Sequence, residues 1–552
     1  MIDVRHQCDG TGDGPRDASL AASPGPRAGG PTVHLETFGC QMNELDSELV
    51  RGQLQALGYR FVDAREDADV VLLNTCSVRE QAENKALSRV GEMGVRKREG
   101  GEVVVGVIGC MAEREGARLM SRYPQIDLLC GPGELDKLPM LLDNAMKEEA
   151  VSRADRIALQ GSTARRSSTL QAAEDTLELL DLSRAFDPDR AGAGGRSAYV
   201  RITRGCNKFC TYCVVPHTRG PEIHRPPDAI VDECRRLADA GVIEVTLLGQ
   251  TVNHYRYTHG VAITVGGSEA PQVGPGLSAF RRPVDATAGS RVTTFADLLH
   301  RIHEEVPEIL RLRFVTSYPR DFGDDALQVM AESPRICRYL HVPAQSGSDA
   351  VLRRMNRGYT RGQYLEFIER ARSFMSDVSI AGDVIVGFCG ETDEDFEATC
   401  SLLREVRFKN NFIFKYSPRP GTTAFDRLPD DVPLEVKRRR NNELLALQAE
   451  VSAAVHAERV GSVEQVFVEK VTGRAPARSG NVELRWAAER VQMAGRTGGD
   501  LITVFDLPDG RRAEDLAGQI VSVRITGSRP LLLQGELVEA PAPVGGSPSV
   551  PI

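Results

Sequence analysis

The sequence predicts an α/β protein made of an N-terminal parallel α/β domain, a central (β/α)6 partial barrel and a C-terminal small β-barrel. Three observations carry this. Short apolar runs alternate with helix-like stretches between Val33 and Lys147. Six further strand–helix pairs follow Ser197. After Arg459, β-rich segments punctuated by Gly and Pro replace the alternation. Alternating elements imply βαβ units with parallel strands, and closely spaced short strands imply a small barrel. A chain of 552 residues agrees with about three domains.

Residues 1–30 are rich in Gly, Pro, Asp and Ser, lack periodicity, and are expected to be disordered. The first domain, 31–147, takes strands from His34–Phe38, Asp69–Leu73, Val103–Ile108 and Ile126–Leu129. Its helices are expected at Glu44–Leu57, Arg79–Val90, Ala112–Ser121 and Leu135–Met146. The polar stretch 148–196 reads as a linker with one helix near Ala172–Leu180. In the second domain, 197–430, strands are expected at Tyr199–Ile202, Glu244–Leu248, Leu312–Val315, Tyr339–Val342, Ile380–Val386 and Phe412–Tyr416. Helices such as Thr293–Glu305, Arg361–Phe374 and Glu394–Val406 lie between them. Residues 257–291 are Gly- and Pro-rich and read as an inserted surface loop. A charged connecting helix spans 431–458, and its run Lys437-Arg438-Arg439-Arg440 reads first as a solvated face. The last domain, 459–540, uses Val463–Val471, Leu501–Phe505, Gln519–Ile525 and Leu531–Leu537, and 541–552 is a flexible tail.

Charge and composition exclude several classes. Lys and Arg number 68 and Asp and Glu 77, a net charge of −9, which argues against a histone-like binder but not against a local RNA site. No apolar run approaches the roughly 18 residues of a membrane span. The N-terminus lacks a secretory apolar core, and Asp3, Asp9, Asp13 and Asp17 argue against a transit peptide, so a cytoplasmic protein is expected. In that reducing compartment, twelve cysteines point to metal or redox chemistry rather than a disulfide framework.

The strongest local signal is Cys206, Cys210 and Cys213, a C-x3-C-x2-C directly after the first strand of the second domain. Three thiolates so placed hold three corners of a cubic iron–sulfur cluster and leave the fourth iron open to a small chelating ligand. A zinc site or a ferredoxin-type cluster is the alternative. Zinc usually takes ligands in pairs, and ferredoxins add a fourth Cys, whereas Cys234 falls in the predicted helix Asp228–Ala240. A second set is dispersed: Cys40, Cys76 and Cys110 each stand where a strand ends and a helix is about to begin. In a parallel sheet those junctions share the carboxyl edge, where helix N-termini favour anionic thiolates. Buried apolar cysteines are the competing reading for any one of them. Cys130 reads as structural, Cys8 as incidental, and Cys234, Cys337, Cys389 and Cys400 as core.

Many motifs around these cysteines resemble the radical S-adenosylmethionine (SAM) methylthiotransferases. Thr37–Asn43 with Asp46-Ser47-Glu48, Asn74–Glu80 and Gly109–Ala112 are similar to that family's N-terminal domain. Cys206–Gly220, Leu248-Gly249-Gln250, Gln345–Ser348, Asp383–Thr392 and Lys415–Thr422 are similar to its radical SAM core. Gly495-Arg496-Thr497 and Gly535-Glu536-Leu537 resemble a TRAM domain, an RNA-binding barrel. The resemblance runs from about Val33 to Val538. His217 stands where the family usually has Tyr, and Cys389 where it usually has Pro. The TRAM region, Arg459–Glu539, holds eleven basic and eleven acidic residues, so net charge alone does not supply its grip on RNA.

The resemblance implies an enzyme, a sulfur-transferring transferase of tRNA modification. Arg204–Asn207, Ser77–Glu80 and Tyr416–Pro420 favour the group that adds a methylthio group to C2 of N6-dimethylallyl(isopentenyl)adenosine at position 37 of tRNA. Sister groups act on threonylcarbamoyladenosine in tRNA or on a ribosomal-protein aspartate, and a non-enzymatic iron–sulfur or zinc protein is the reading of another class. The resemblance implies two 4Fe-4S clusters. The one on Cys206, Cys210 and Cys213 binds SAM and cleaves it by one-electron reduction. The auxiliary one on Cys40, Cys76 and Cys110 supplies sulfur, and a second SAM supplies the methyl group. Tyr212 is expected beside the SAM adenine. Gln250, Ser317, Gln345 and Asp383, at the carboxyl ends of predicted strands, are either further SAM contacts or strand-end hydrogen bonds. Arg201, Arg204, Lys208, Arg219 and Arg225 read equally as phosphate contacts or as a solvated rim. Trp486 and Phe505 read as core unless exposed for base stacking. The expected partners are tRNA and an electron donor such as flavodoxin or ferredoxin, with no membrane and a monomeric chain.

Overall fold

The computed structural model describes residues 30–77, 80–147, 152–160, 181, 195–260, 264–265, 268–274, 291–472, 478–479, 482–483, 491–508 and 510–539. The expected disordered start, the helix near Ala172–Leu180, Trp486 and the tail after residue 540 lie outside these.

The first domain is a six-stranded parallel sheet in the order β2-β1-β3-β4-β5-β6. Its strands are β1 (Thr32–Phe38), β2 (Arg60–Phe61), β3 (Val70–Thr75), β4 (Val104–Gly109), β5 (Leu128–Cys130) and β6 (Ile157–Ala158). The helices are α1 (Gln41–Ala56), α2 (Glu80–Arg98), α3 (Cys110–Glu115), α4 (Ala117–Arg122) and α5 (Leu138–Met146). Every residue of β3 is buried, as a central strand with helices on both faces requires. The helix read at Ala112–Ser121 is two helices, broken where Gly116 takes φ +57°. The sheet also reaches beyond residue 147: Leu129 and Cys130 pair with Ile157 and Ala158, so part of the expected linker is the sixth strand. An isolated apolar pair in a polar stretch is too short to show a period, so its role is set by the open edge of β5.

The second domain carries the six expected parallel strands, in two three-stranded groups. Ser197–Arg201, Glu244–Leu248 and Arg311–Phe314 form one, and Tyr339–His341, Ser379–Val386 and Asn410–Lys415 the other. Leu312 bridges Ile336, and Ser317 N–H donates to His341 O at 3.0 Å, which continues the wall between them. Alternate residues such as Val245, Leu247, Leu312, Phe314 and Leu340 bury outward against the helices. Their neighbours line the inside. The 257–291 stretch is not all surface: Arg256–Thr258 pairs with Val292–Thr294, Gln272–Val273 pairs with Ile223–His224, and Tyr257 is fully buried with its hydroxyl donating to Ala270 O at 2.8 Å.

The connecting helix spans Leu434–Ala457. The basic run is not one solvated face. Arg438 and Arg439 are exposed, but Lys437 and Arg440, three apart, turn inward, and Arg440 meets Glu391 at 2.8 Å. Five strands then close a barrel: Val463–Thr472, Gln492–Thr497, Ile502–Asp506, Leu532–Glu539 and Ile520–Arg529. Gln492–Thr497, with Gly495 at its centre, has no apolar run and escaped the sequence pattern. Phe505 is core.

The N-terminal domain sits on the barrel through α1, whose Met42, Leu45 and Leu49 bury against Leu248. Two ion pairs flank that contact, Asp46–Arg219 at 2.7 Å and Glu83–Arg419 at 2.9 Å.

Candidate iron–sulfur and SAM site

The Cys206–Cys213 loop is thrown out by a short antiparallel pairing of Thr203–Arg204 with Ile223–His224. Gly205 makes this possible: it takes φ +70°, and a Cβ there would stand 1.9 Å from Pro221 O. The loop is pinned from outside. Thr211 N–H donates to Met355 O (3.0 Å), Thr211 Oγ1 to Arg354 O (2.8 Å), and Asn356 Nδ2 to Phe209 O (3.0 Å). Cys206 and Cys210 are buried and Cys213 half-buried. Arg357 Nη1 donates to Cys210 Sγ at 3.3 Å, and Thr251 Oγ1 lies 3.8 Å from Cys206 Sγ. Burial pushes the Cys206 thiol up to about 12, helped by Glu222 and Cys210, and Cys213 moves further the same way. Three free thiols on one short loop make a donor set that fits an iron–sulfur cluster.

Lys208, between Cys206 and Cys210, anchors the loop inward. Its ammonium meets Asp321 at 2.5 Å and the His254 ring, and lies 4.2 Å from the centre of the Tyr318 ring. His254 contacts Asp321 (2.7 Å) and Glu222 (3.3 Å), and Glu222 accepts from His224 (3.0 Å). Burial works to raise Glu222, but the two imidazoles outweigh it and hold the carboxyl at about 2.

The dispersed cysteines converge. Cys40 is the N-cap of α1, Cys76 follows β3, and Cys110 opens α3. An amide pair sets their spacing: Asn43 Nδ2 donates to Asn74 Oδ1 (2.9 Å), and Asn74 Nδ2 to Asn43 O (2.8 Å) and Ser47 Oγ (2.9 Å). Gly109, φ +89°, lets β4 pass close to Asn74. Cys40 is lowered to about 6, first by a hydrogen bond with the Cys76 side chain, against burial, and then by the Arg219 guanidinium. Burial raises Cys110, while Arg219 and a hydrogen bond with Thr218 oppose it. Among the described residues no three His, Cys, Asp or Glu side chains close on a single ion. The triad is a looser group, related through the Cys40–Cys76 contact and a shared cation.

That cation comes from the other domain. Arg219 follows Cys213 by six residues, through the short helix Val215–Thr218. Even a fully extended chain of six residues spans only about 20 Å, so the two triads are neighbours. Cys213 and the cation beside Cys40 and Cys110 are therefore kept close by the chain itself as well as by packing.

The other expected site residues divide. Tyr212 turns its ring edge to Phe388 (6.3 Å between centres), with its hydroxyl 3.5 Å from Arg357 Nη1. Gln250 is half-buried two residues past its strand. Ser317, Gln345 and Asp383 share one rim. Ser317 is linked to His341 through the backbone, His341 Nε2 lies 3.4 Å from Asp383 Oδ1, and Gln345 N–H donates to Asp383 O at 2.8 Å. Asp383 is not at the end of its own strand. It is the fifth of eight residues, but the adjacent strand stops at His341, level with Ala381, so Asp383 stands clear above it. Gln345 takes φ +68°, and the buried Ser317 Oγ has no hydrogen-bond partner among the described residues.

Four of the five basic residues around the loop are not a solvated rim. Arg201, Lys208, Arg219 and Arg225 are buried and paired: Arg201 with Asp181 (2.5 Å), Lys208 with Asp321, Arg219 with Asp46, and Arg225 with Glu233 (2.7 Å). Arg204 lies near Asp136 and Glu134 of the first domain. Arg357 and His341 escaped sequence reading. His341 had a usable signal, a polar residue closing a predicted strand. Arg357, 147 positions from Cys210, had none.

A cysteine loop above a parallel partial barrel, joined to a second thiol triad, defines a radical SAM protein with an added N-terminal domain. Residues 200–403 match the Radical SAM superfamily and residues 32–131 the Uncharacterized protein family UPF0004. The tRNA-2-methylthio-N(6)-dimethylallyladenosine synthase of Rhodopirellula baltica is 42% identical over 494 residues, covering 90% of this chain and 93% of that protein. That of Opitutus terrae is 38% identical over 519 residues, covering 92% and 98%. The chain belongs to the tRNA-2-methylthio-N(6)-dimethylallyladenosine synthase family. Among solved structures, the radical S-adenosylmethionine methyltransferase TsrM from Kitasatospora setae is similar at a TM-score of 0.45 and 14% identity, covering 83% of each chain.

Proposed function

We propose that this chain adds a methylthio group to C2 of N6-dimethylallyladenosine at position 37 of tRNA, using SAM and two iron–sulfur clusters. The observation that supports this reading is that Arg219, six residues past Cys213, pairs with Asp46 at 2.7 Å and lies beside Cys40 and Cys110. Thiolation of an unactivated aromatic C–H has no acid–base route at pH 7, so it needs both a radical initiator and a sulfur donor close together. Cys206, Cys210 and Cys213 would hold a cluster that would supply one-electron cleavage of SAM, and Cys40, Cys76 and Cys110 would hold a second that would supply sulfur.

The chain's own residues bind, orient and shield. Arg357 donates to Cys210 and lies 4.6 and 5.1 Å from the Tyr318 and Tyr359 ring centres, which closes the loop's inner side to water. Ser317, Gln345 and Asp383 offer hydroxyl, amide and carboxylate to the polar parts of SAM, with Gln250 and Tyr212 beside the loop. Arg219 neutralises thiolate charge at the second triad and holds the two domains in register through Asp46. The reading calls for a one-electron donor of the flavodoxin or ferredoxin kind. It also implies a cytoplasmic location, in keeping with the absence, among the described residues, of a helix long and apolar enough to cross a membrane.

The test is an iron and sulfide count on anaerobically purified protein, with mass spectrometry of nucleosides from reacted tRNA. Two clusters and a methylthio product are expected. C206A abolishes SAM cleavage, whereas C76A spares cleavage and abolishes thiolation. Thiolation by C76A refutes the assignment of the second triad.

A further inference from the structure

The amino-terminal mouth of the barrel, opposite the thiol triads, is closed by another domain. The turn Thr497–Leu501 of the small C-terminal barrel reaches into it. Asp500, at the tip, takes φ +61°, a conformation that Asp tolerates better than most residues. Its carboxylate accepts from Lys409 Nζ at 2.6 Å, from Arg496 Nη1 at 3.0 Å and from the Arg313 guanidinium. The Lys409 ammonium also reaches the Asp500 backbone carbonyl. Arg311 Nη1 donates to Arg496 O at 2.8 Å, and Glu244 lies 3.6 Å from Arg313 and 3.7 Å from Arg311. Gly499 lies against the wall: a Cβ there would stand 2.4 Å from Ser379 Oγ.

Four of these partners, Glu244, Arg311, Arg313 and Lys409, sit at or near the starts of barrel strands, on the inward-facing register. Arg313 and Lys409 lie 5.7 and 4.9 Å from the centre of the Tyr339 ring, one layer below His341 and Asp383. Their side chains are only 6% exposed, so they are desolvated cations whose nearest carboxylate belongs to the other domain. Burial works against the ionised Asp500, yet Lys409 and Arg313 hold its carboxyl well below the usual range.

We propose that the small barrel is the floor of the reaction chamber and that Asp500 is the positioning residue that seals it. An opening from below would admit small solutes, thiols among them, to the layer under His341 and Asp383. A carbon radical formed above that layer takes a hydrogen atom from an S–H donor, leaving a thiyl radical, but not from the stronger O–H of water, so a closed space keeps it for its target. This consequence for coupling rests on the proposed function, whereas the anchoring does not.

The test compares D500N with unmodified protein. Asn keeps the left-handed backbone available and removes the charge. Amide hydrogen exchange in 492–506 is expected to rise about ten-fold, and the SAM cleaved per methylthio group formed several-fold. D500E, which keeps the charge, restores most of both. K409M removes the partner from the barrel side, is expected to move both readouts the same way, and decides the matter if D500N does not fold. Unchanged exchange in a folded variant overturns the anchor. Faster exchange with a SAM-to-product ratio within about two-fold of normal overturns the chamber role. If unmodified protein makes no methylthio product, the proposed function fails, and the exchange measurement still decides the anchor.

Discussion

Replacing Arg219 by Met isolates the contact between the second domain and the Cys40, Cys76 and Cys110 group. Arg219 and Asp46 have side chains 5% and 1% exposed and meet at 2.7 Å, so the variant leaves a desolvated carboxylate uncompensated. Removing one partner of a buried pair costs about 3–5 kcal/mol, far above the ≲1 kcal/mol of an exposed pair. The loss falls where the first domain meets the barrel. It also removes the cation that helps to lower Cys40 and opposes the rise that burial imposes on Cys110. Urea denaturation followed by fluorescence, with iron and sulfide counts, is the assay. R219M is expected to lose stability of that order, to keep the cluster of the Cys206–Cys213 loop and SAM cleavage, and to lose most of the second cluster. The double variant D46N/R219M recovers much of the stability but not thiolation, because the thiols still lack their cation. An R219M protein within about 1 kcal/mol of normal stability and loaded with both clusters refutes the reasoning.

Three further outcomes follow from the same geometry. In metal-free protein the Cys40 thiol, lowered to about 6, is mostly thiolate at pH 7 and protonates only as pH falls through 6, so its iodoacetamide alkylation has a midpoint near pH 6, whereas an ordinary thiol rises only above pH 8; mass spectrometry of the labelled peptide decides. S317A removes a buried hydroxyl that has no partner, so thermal stability is expected to stay level or rise by up to about 1 kcal/mol while SAM binding weakens several-fold; a stability loss above about 1 kcal/mol shows the hydroxyl to be structural. G205A forces a Cβ against Pro221 O at positive φ, and a loss of at least about 2 kcal/mol, with loss of the SAM-cleaving cluster on reconstitution, is expected; a normal cluster content counts against the loop geometry.

The α/β order and the two groups of three cysteines were readable from local pattern. Hydrophobic period is a property of neighbouring residues, and a cysteine at a strand–helix junction carries its position with it. Residues whose role depends on a distant face were not readable. Lys437 and Arg440 are spelled like Arg438 and Arg439, yet the first two turn inward and the others do not. Arg201, Arg219 and Arg225 look like a basic rim until Asp181, Asp46 and Glu233 arrive from elsewhere. Ile157–Ala158 became a strand because β5 offered an open edge. Asp500, in a Gly-Gly-Asp turn, reads as a solvated loop tip, and the barrel mouth made it an ion-cluster centre. Sequence thus carried the chemistry that is built from contiguous or periodic residues. Pairing of charges and the placing of Arg219 beside Cys40 and Cys110 depended on three-dimensional contact, because a charged side chain is buried only when a partner from another segment repays its desolvation.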